Sequence, residues 1–167
     1  MKITHANPGT FDGVHWGHVA VVIETVTICG KITVVCSDNK DKDRWFSPEE
    51  SKAMWKIYDL GENVKIVTFD EFMAEHTPDE IIVMIRGIRD GKDILFEQKI
   101  VEQNFREYNI RNYNYVIAEE KYRGFSSTEA RRLAMEENLE KLEKLAHPKI
   151  AQIMIERARE IKRRKTQ

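Results

Sequence analysis

The sequence predicts an α/β fold: a Rossmann-like, three-layer arrangement in which a parallel sheet has helices on both faces. Short apolar segments rich in β-branched residues alternate along the chain with longer segments of helical spacing. The clearest short segment, residues 81–85, is apolar at every position, which is typical of a parallel strand covered on both faces. The chain has 167 residues, so a single domain over 1–167 with a buried core is expected.

Five strands follow from the pattern of apolar runs. The first precedes Pro8, and its composition alone is a weak signal. The later strands are bounded by polar or turn-forming residues. They are predicted at 32–36, 64–69, 81–85 and 115–118.

Helices are predicted between these strands and after the last one. Ser47 is a suitable N-cap because Pro48 occupies the first helical position and Glu50 lies three residues after the cap. The first predicted helix begins near Gly17. The others cover 48–60, 92–108, 127–145 and 149–165, so the C-terminal helices occupy about 127–165. In parallel sheets, ligands bind beyond the carboxyl ends of the strands, so residues just after each strand are the candidates for function.

Composition restricts the classes of function. Lys and Arg number 27 and Asp and Glu 28, a net charge of -1, so no general attraction to nucleic acid or membrane is expected. No apolar run reaches the ~20 residues of a membrane span, and the N-terminus lacks a signal-peptide core. Cys29 and Cys36 sit in apolar surroundings, which favours buried thiols and a cytoplasmic protein. The cations near the C-terminus are interpreted as the solvated end of a helix, with a nucleic-acid or membrane contact as the alternative.

The most informative string is Pro-Gly-Thr-Phe-Asp-Gly-Val-His-Trp-Gly-His at residues 8–18. It joins the first predicted strand to a helix, and such a glycine-rich turn lets the backbone and a helix N-terminus approach a phosphate. His15 and His18 can face the same space and donate hydrogen bonds to phosphate oxygens. A zinc site is the alternative, but the His-x-x-His pair has no matching second pair of ligands, so no metal site is predicted.

Two further strings predict phosphate ligands at the same edge of the sheet. Arg86 and Arg89 lie at the end of the clearest strand, and arginine forks suit phosphate oxygens. Residues 126–128 are Ser-Ser-Thr and open a predicted helix, with Arg131 and Arg132 after them. Hydroxyls and free backbone N–H groups at a helix start bind phosphate, although an ordinary N-cap is the alternative interpretation.

Together these strings resemble the signatures of the HxGH nucleotidyltransferase superfamily: G-x-F-D-x-x-(H/T)-x-G-H, then a Ser/Thr run at a helix start. Phosphopantetheine adenylyltransferase is the member family with the fullest resemblance. That family has R-G-L-R, then D-F-x-Y-E, then an asparagine seven residues later. Arg86, Asp93, Glu97 and Asn104 follow this spacing, and 42–50 is similar to the family's K-x-x-F-(S/T)-x-E-E segment with a shift of one residue. The resemblance runs from about residue 8 to residue 132.

This resemblance implies the reaction of ATP with 4'-phosphopantetheine to give dephospho-coenzyme A and pyrophosphate, with Mg²⁺ bound mainly through the ATP phosphates. It also implies a homo-oligomer, a hexamer. The implied catalytic residues are His18, Lys42 and Arg89, and the implied acceptor-binding residues are Thr10, Lys42 and Arg86. The implied nucleotide-binding residues are Gly9, Thr10, Phe11, His15, Gly17, His18, Arg89, Glu97, Tyr122, Ser126, Ser127 and Thr128.

Some residues depart from the family pattern and keep alternatives open. His15 stands where the family usually has threonine, and residues 90–92 replace a more apolar segment. The full His-x-Gly-His with Trp16 inside resembles cytidylyltransferases, and Ser-Ser-Thr-x-x-Arg resembles nicotinamide mononucleotide adenylyltransferases. The alternatives are therefore one of these enzymes acting on another phosphorylated acceptor, or a nucleotide-binding regulator that lost the chemistry.

Overall fold

The computed structural model describes residues 2–38, 43–77 and 79–166, and the described residues form a five-stranded parallel sheet with helices on both faces. The strands are β1 (Lys2–Gly9), β2 (Ile32–Cys36), β3 (Val64–Thr68), β4 (Glu80–Ile88) and β5 (Asn112–Ile117). The helices are α1 (Trp16–Cys29), α2 (Pro48–Lys56), α3 (Phe69–Glu75), α4 (Gly91–Tyr108), α5 (Ser127–Met135), α6 (Leu139–Leu145) and α7 (Pro148–Lys165). The predicted α/β class, with its Rossmann-like layers, is confirmed.

The strand order is β3-β2-β1-β4-β5, and every neighbouring pair is parallel. The chain first builds outward from β1 to β3, then crosses to the other side of β1 with β4 and β5. The order therefore reverses between β1 and β4, which is the point where open parallel sheets bind ligands. None of the helices in the described segments combines the length and the apolar composition of a membrane span.

Consecutive strand residues face two different cores. Val34 and Ile85 belong to the larger core, with α1, α2 and the three C-terminal helices, while Val35 and Met84 belong to the smaller core, with Phe72 of α3. Because both faces are covered, the central strands need apolar residues at successive positions. This requirement is what made their apolar runs visible in the sequence.

Several predicted boundaries were wrong. β4 continues to Ile88, so Arg86 lies within the strand rather than after it. The helix predicted over 127–145 is two helices, because Glu137 adopts a left-handed φ of 55° and Asn138 caps α6. The helix predicted over 48–60 ends at Lys56.

The sequence prediction also missed α3. Phe69, assigned from the sequence to the end of a strand, is the first residue of this helix. Thr68 is its N-cap and accepts a hydrogen bond from the backbone N–H of Glu71. A helix of 7 residues shows too little of the helical period to be separated from the preceding apolar run.

The interpretation of the C-terminal cations as a solvated helix end is wrong for Arg157, whose side chain is 27% exposed. Arg157 donates to the carbonyl of Trp45 and pairs with Glu50 of α2. Arg159 pairs with Glu137, which lies between α5 and α6. The contacts of Arg157 fix the segment before α2, and α2 itself, against α7.

Gly87 of β4 lets α1 pack closely on the sheet, and its replacement tests this packing. A Cβ at Gly87 would lie 2.8 Å from Cγ2 of Val21, and a valine side chain is too stiff at χ1 to move aside cheaply. We expect Gly87→Ala to lower the free energy of unfolding by about 1–3 kcal/mol, measured by chemical denaturation.

Gly91→Ala is the matched control for this prediction. Apart from the adjacent residues and the backbone of its own helix, no described atom lies within 4 Å of a Cβ built at Gly91. We expect its free energy of unfolding to stay within about 0.5 kcal/mol of the wild-type value. Equal stability of both variants would contradict the close packing of α1 on β4.

Candidate functional site

A cavity of about 550 Å³ opens at the carboxyl ends of β1 and β4, where the strand order reverses. Its walls come from the loop at residues 10–15, the first turn of α1, the end of β4, the first turn of α4 and the segment that leads into α5. The three sequence strings therefore meet around one space, although they are distant along the chain.

The loop after β1 is shaped by the contact between Gly9 and Phe11. Phe11 has a φ of 44° and is 5% exposed, and its ring meets the rings of His18 and Trp55 edge-to-face, with centroids 5.1 Å apart in both cases. A Cβ at Gly9 would lie 2.8 Å from the Phe11 ring. Glycine at this position therefore leaves room for the Phe11 ring, which packs against the His18 ring.

The two histidines lie against each other at the start of α1. Their rings are stacked with centroids 3.6 Å apart, and the backbone N–H of His15 donates to Nδ1 of His18 at 3.3 Å. Burial, and then the charge of Arg89, lowers the pKa of His15 to about 3. Burial is also the largest cause that lowers the pKa of His18 well below its usual range, followed by His15, Arg89 and Arg86.

These contacts determine the form of His18 at neutral pH. Its ring is neutral because protonation would bury a charge beside another imidazole and near cationic guanidinium groups. Since Nδ1 accepts the hydrogen bond from His15, the single ring proton belongs on Nε2. His18 can therefore donate one hydrogen bond from Nε2 to a ligand in the cavity.

Arg86 of β4 is held by Glu97 of α4. The two side chains form a bidentate ion pair, with Nε–Oε2 at 2.8 Å and Nη2–Oε1 at 2.7 Å, and Nη1 donates to the carbonyl of Pro8 at 2.6 Å. Glu97 is 5% exposed, and a carboxylate at this depth needs such a partner. Both residues line the cavity, and the predicted role of Glu97 toward the nucleotide stays a prediction.

Arg89 connects the end of β4 to α4 and to the segment before α5. It forms a bidentate pair with Asp93, with Nε–Oδ2 at 3.0 Å and Nη2–Oδ1 at 2.9 Å, and Nη1 donates to the carbonyl of Phe125 at 3.3 Å. The hydrogen bond from Arg89 is the first cause that lowers the pKa of Asp93. The guanidinium is fixed at the cavity wall before any ligand binds.

The first turn of α5 forms another part of the cavity wall. Ser126 is the N-cap, and its Oγ accepts a hydrogen bond from the backbone N–H of Glu129 at 3.1 Å. Ser127 and Thr128 are the first two helical residues and line the cavity. The backbone N–H groups of such positions have no acceptor within the helix, so they can bind an anion.

Every predicted site residue that the structure describes lies on the cavity wall. These are Gly9, Thr10, Phe11, His15, Gly17, His18, Arg86, Arg89, Glu97, Tyr122, Ser126, Ser127 and Thr128. Lys42 lies outside the described residues. The convergence is a fact of the fold, whereas the individual binding roles stay predictions.

Asp12, Arg44 and Arg131 are among the cavity residues that the sequence prediction missed. Asp12 is 2% exposed and accepts from the backbone N–H groups of Trp45 and Phe46, at 2.9 and 3.0 Å, and from Arg131 at 2.5 Å. The available signals were the place of Asp12 inside the first string and the spacing of Arg131, four residues after Ser127 and so on the same helical face.

Arg132 and Asn104 were quoted in the sequence strings, but neither is on the cavity wall. Arg132 pairs on the surface with Glu129 and Glu136. The side-chain amide of Asn104 donates to the hydroxyl of Tyr113 at 3.1 Å. Both residues therefore have contacts that do not involve the site.

Known proteins match this chain over most of its length. The cytidylyltransferase-like family matches residues 6–133. Phosphopantetheine adenylyltransferase of Aquifex aeolicus is 28% identical over 152 residues, which cover 90% of this chain and 92% of that protein. The proteins of the same name from Afipia carboxidovorans and Geotalea daltonii are 33% and 28% identical over 58% of this chain, but the matches span only 63% and 62% of their lengths.

Solved structures with a similar fold include nicotinic acid mononucleotide adenylyltransferase of Plasmodium falciparum. Its complexes with NaAD and APC give TM-scores of 0.66 and 0.62 at 17% and 16% identity, and each comparison covers 93% of this chain and 96% of the other. At this level of identity the likeness concerns the fold alone. The matched residues 6–133 contain β1, the cavity loop, both arginines of the β4 end and the first turns of α5, and the chain therefore belongs to the cytidylyltransferase-like family of nucleotidyltransferases.

Proposed function

We propose that this protein transfers AMP from ATP to 4'-phosphopantetheine and so forms dephospho-coenzyme A and pyrophosphate. The observation that carries the proposal is the convergence of neutral His18, Arg86, Arg89 and the first turn of α5 on one cavity at the reversal of the strand order. The choice of acceptor is supported by the name that the relatives share and by the spacing of Arg86, Arg89 and Glu97.

The chemistry is an in-line displacement at the α-phosphorus of ATP. An oxygen of the acceptor phosphate forms the new bond to this phosphorus, while the bond to the bridging oxygen of the β-phosphate breaks and pyrophosphate leaves. Reactions of this kind need alignment and stabilisation of charge more than covalent help from the protein. His18 would donate from Nε2 to a non-bridging oxygen of the α-phosphate, where negative charge has to be stabilised.

The phosphates on either side of the reacting phosphorus would bind to the two ends of the cavity. Arg89 and the N–H groups of Ser127 and Thr128 suit the β- and γ-phosphates, because they combine a fixed guanidinium with a helix N-terminus. Arg86, beside the end of β1, suits the acceptor phosphate together with Thr10. Glu97 would orient Arg86 through the bidentate pair, so that its remaining N–H groups face the ligand.

Mg²⁺ belongs to the proposal as a partner of the ATP phosphates. Three of the four carboxylates on the cavity wall, those of Glu97, Asp93 and Asp12, are already bound to arginines, and the fourth belongs to Asp43. Within 2–38, 43–77 and 79–166, no group of three His, Cys, Asp or Glu residues could hold a metal ion. This set of residues fits a cation that is held through phosphate oxygens and water, where it would neutralise phosphate charge.

A homo-oligomer, a hexamer by family resemblance, also stays part of the proposal. It is supported by large apolar side chains at the surface, among them Leu95 of α4, which is 65% exposed, and Ile117 of β5, which is 74% exposed. Light scattering coupled to size exclusion would measure the mass directly, and a monomer would contradict this part.

A second acceptor and a second nucleotide are favoured by specific residues. The His-x-Gly-His string, which His15 completes, is similar to the string found in cytidylyltransferases. The Ser-Ser-Thr run followed by Arg131, which lines the cavity, is similar to the run found in nicotinamide mononucleotide adenylyltransferases. Pyrophosphate release with CTP, or with nicotinamide or nicotinic acid mononucleotide as acceptor, would support these alternatives.

The first test measures pyrophosphate release with Mg²⁺ and ATP, with and without 4'-phosphopantetheine. We expect release only with both substrates, and we expect His18→Ala to lower kcat by about 10²–10³-fold with little change in KM, because one donor to the transition state is lost.

His76→Ala is the matched control, since His76 contacts Glu80 at the amino end of β4, away from the cavity. We expect its kcat to equal that of the wild type. Unchanged kcat in His18→Ala would contradict the role of His18, and no release from the wild-type protein would contradict the proposed acceptor. Nucleotide binding without turnover of any acceptor would instead favour the inactive regulator.

The buried histidines predict a dependence of stability on pH. The folded-state pKa of His15 is about 3, below the usual 6.5, so the unfolded chain binds more protons between these values. Stability from this histidine is complete above pH 6.5 and is lost as the pH falls, by about 1.4 kcal/mol per pH unit. Urea unfolding at pH 7.5 and pH 5.0 should therefore show acid destabilisation of the wild type that is reduced in His15→Thr. An identical loss in both proteins would contradict this assignment.

A further inference from the structure

Arg44 is a cavity residue that lies within the string at 42–50 but was not among the predicted site residues. It lies in the short segment before α2, and its side chain is 10% exposed. Nη1 donates to the carbonyl of Ser37 at 3.1 Å and to Oδ1 of Asp38 at 2.8 Å, and Nη2 donates to the carbonyl of Thr10 at 3.3 Å. These contacts fix the guanidinium between the ends of β1 and β2.

The hydrogen-bonding capacity of Arg44 exceeds what its neighbours accept. A guanidinium has five N–H donors, and Nε of Arg44 is buried without an acceptor among the described residues. The hydrogen bond from Nη2 to the carbonyl of Thr10 is long for one with a charged donor. Three of the five N–H groups bind Ser37, Asp38 and Thr10, so the second N–H of Nη2 can donate to an acceptor that binds in the cavity.

The charge of Arg44 is also less compensated than that of the other two arginines. Arg86 and Arg89 each form two parallel hydrogen bonds to one carboxylate. Within the part of the chain that the structure describes, Arg44 contacts one carboxylate, that of Asp38, whose side chain is 59% exposed. An ion pair with so exposed a partner is weak, because water screens it. The positive charge of Arg44 thus remains available to an anion.

Arg44 and Arg86 lie on either side of the end of β1. Arg86 donates to the carbonyl of Pro8, and Arg44 donates to the carbonyl of Thr10, two residues later. Both arginines line the same cavity, so a phosphate bound at the end of β1 can accept hydrogen bonds from the two guanidinium groups.

We propose that Arg44 is a specificity-determining residue that binds the phosphate of the acceptor together with Arg86. This inference rests on the proposed transfer to a phosphorylated acceptor and names a further ligand for that phosphate. A phosphate oxygen replaces the long contact from Nη2 to Thr10, so the phosphorylated acceptor binds better than its dephosphorylated form. The protein thereby selects a phosphate monoester rather than a neutral alcohol.

The test compares Arg44→Gln with the wild type by steady-state kinetics. We expect the KM for 4'-phosphopantetheine to rise about 10- to 100-fold, as for the loss of charge-assisted hydrogen bonds, and the KM for ATP to change less than about threefold. The inhibition constant of pantetheine, which lacks the phosphate, should also change less than about threefold. Arg44→Lys, which keeps the charge without the fork, should lie between wild type and Arg44→Gln.

Arg132→Gln is the matched control, because it removes the same group from an arginine that pairs with surface glutamates. We expect its constants for both substrates to equal the wild-type values. If Arg44→Gln weakens pantetheine, ATP and 4'-phosphopantetheine equally and lowers the melting temperature, Arg44 only fixes the two loops and the inference is wrong. Unchanged constants in Arg44→Gln also overturn it.

The wild-type reaction separates this inference from the proposed function. Turnover of ATP with 4'-phosphopantetheine by the wild type, together with unchanged selectivity in Arg44→Gln, would overturn the role of Arg44 alone. Absence of turnover in the wild type would overturn the proposed function and, with it, the acceptor assigned to Arg44.

Discussion

The buried carboxylate of Asp12 is the interaction on which the arrangement of the site depends. Asp12 is 2% exposed, and it accepts hydrogen bonds from the backbone of Trp45 and Phe46 and from the side chain of Arg131. A carboxylate removed from water is tolerated only where its oxygens are hydrogen-bonded and its charge is paired. The loop after β1, the segment before α2 and the helix α5 must therefore be in place together. Arg157 of α7 strengthens the same assembly from the outside, through Trp45.

The electrostatics of the cavity follow the same requirement for partners. Arg86 and Arg89 are bound to Glu97 and Asp93, so their guanidinium groups are already oriented when a ligand arrives. The histidine pair stays neutral because it is buried beside these cations, and this makes His18 a hydrogen-bond donor rather than a charge. Donors that are fixed in advance need no reorganisation during reaction, which is the main physical advantage of such a site for phosphoryl chemistry.

The elements that the sequence predicted well are those with a strong local pattern. The strand at residues 32–36 was predicted with its observed bounds, because a strand buried on both faces is apolar throughout. The strand predicted at 81–85 was too short, since Arg86 and Gly87 interrupt the apolar run while β4 continues. The short helix α3 was missed, because 7 residues do not display a clear helical period.

The sequence by itself determined the alternation of strands and helices and the identity of most cavity residues, because apolar periodicity, caps and glycine-rich turns are local patterns. Only the tertiary structure decided which polar groups meet. Asp12 and Phe46 are 34 residues apart in sequence, and Asp12 and Arg131 are 119 apart, yet each pair shares a hydrogen bond. Glu97 likewise proved to be the partner of Arg86, and Arg44 proved to lie beside Thr10. A buried polar group takes its partner from whatever the packed fold brings within hydrogen-bond distance, and no local pattern contains that information.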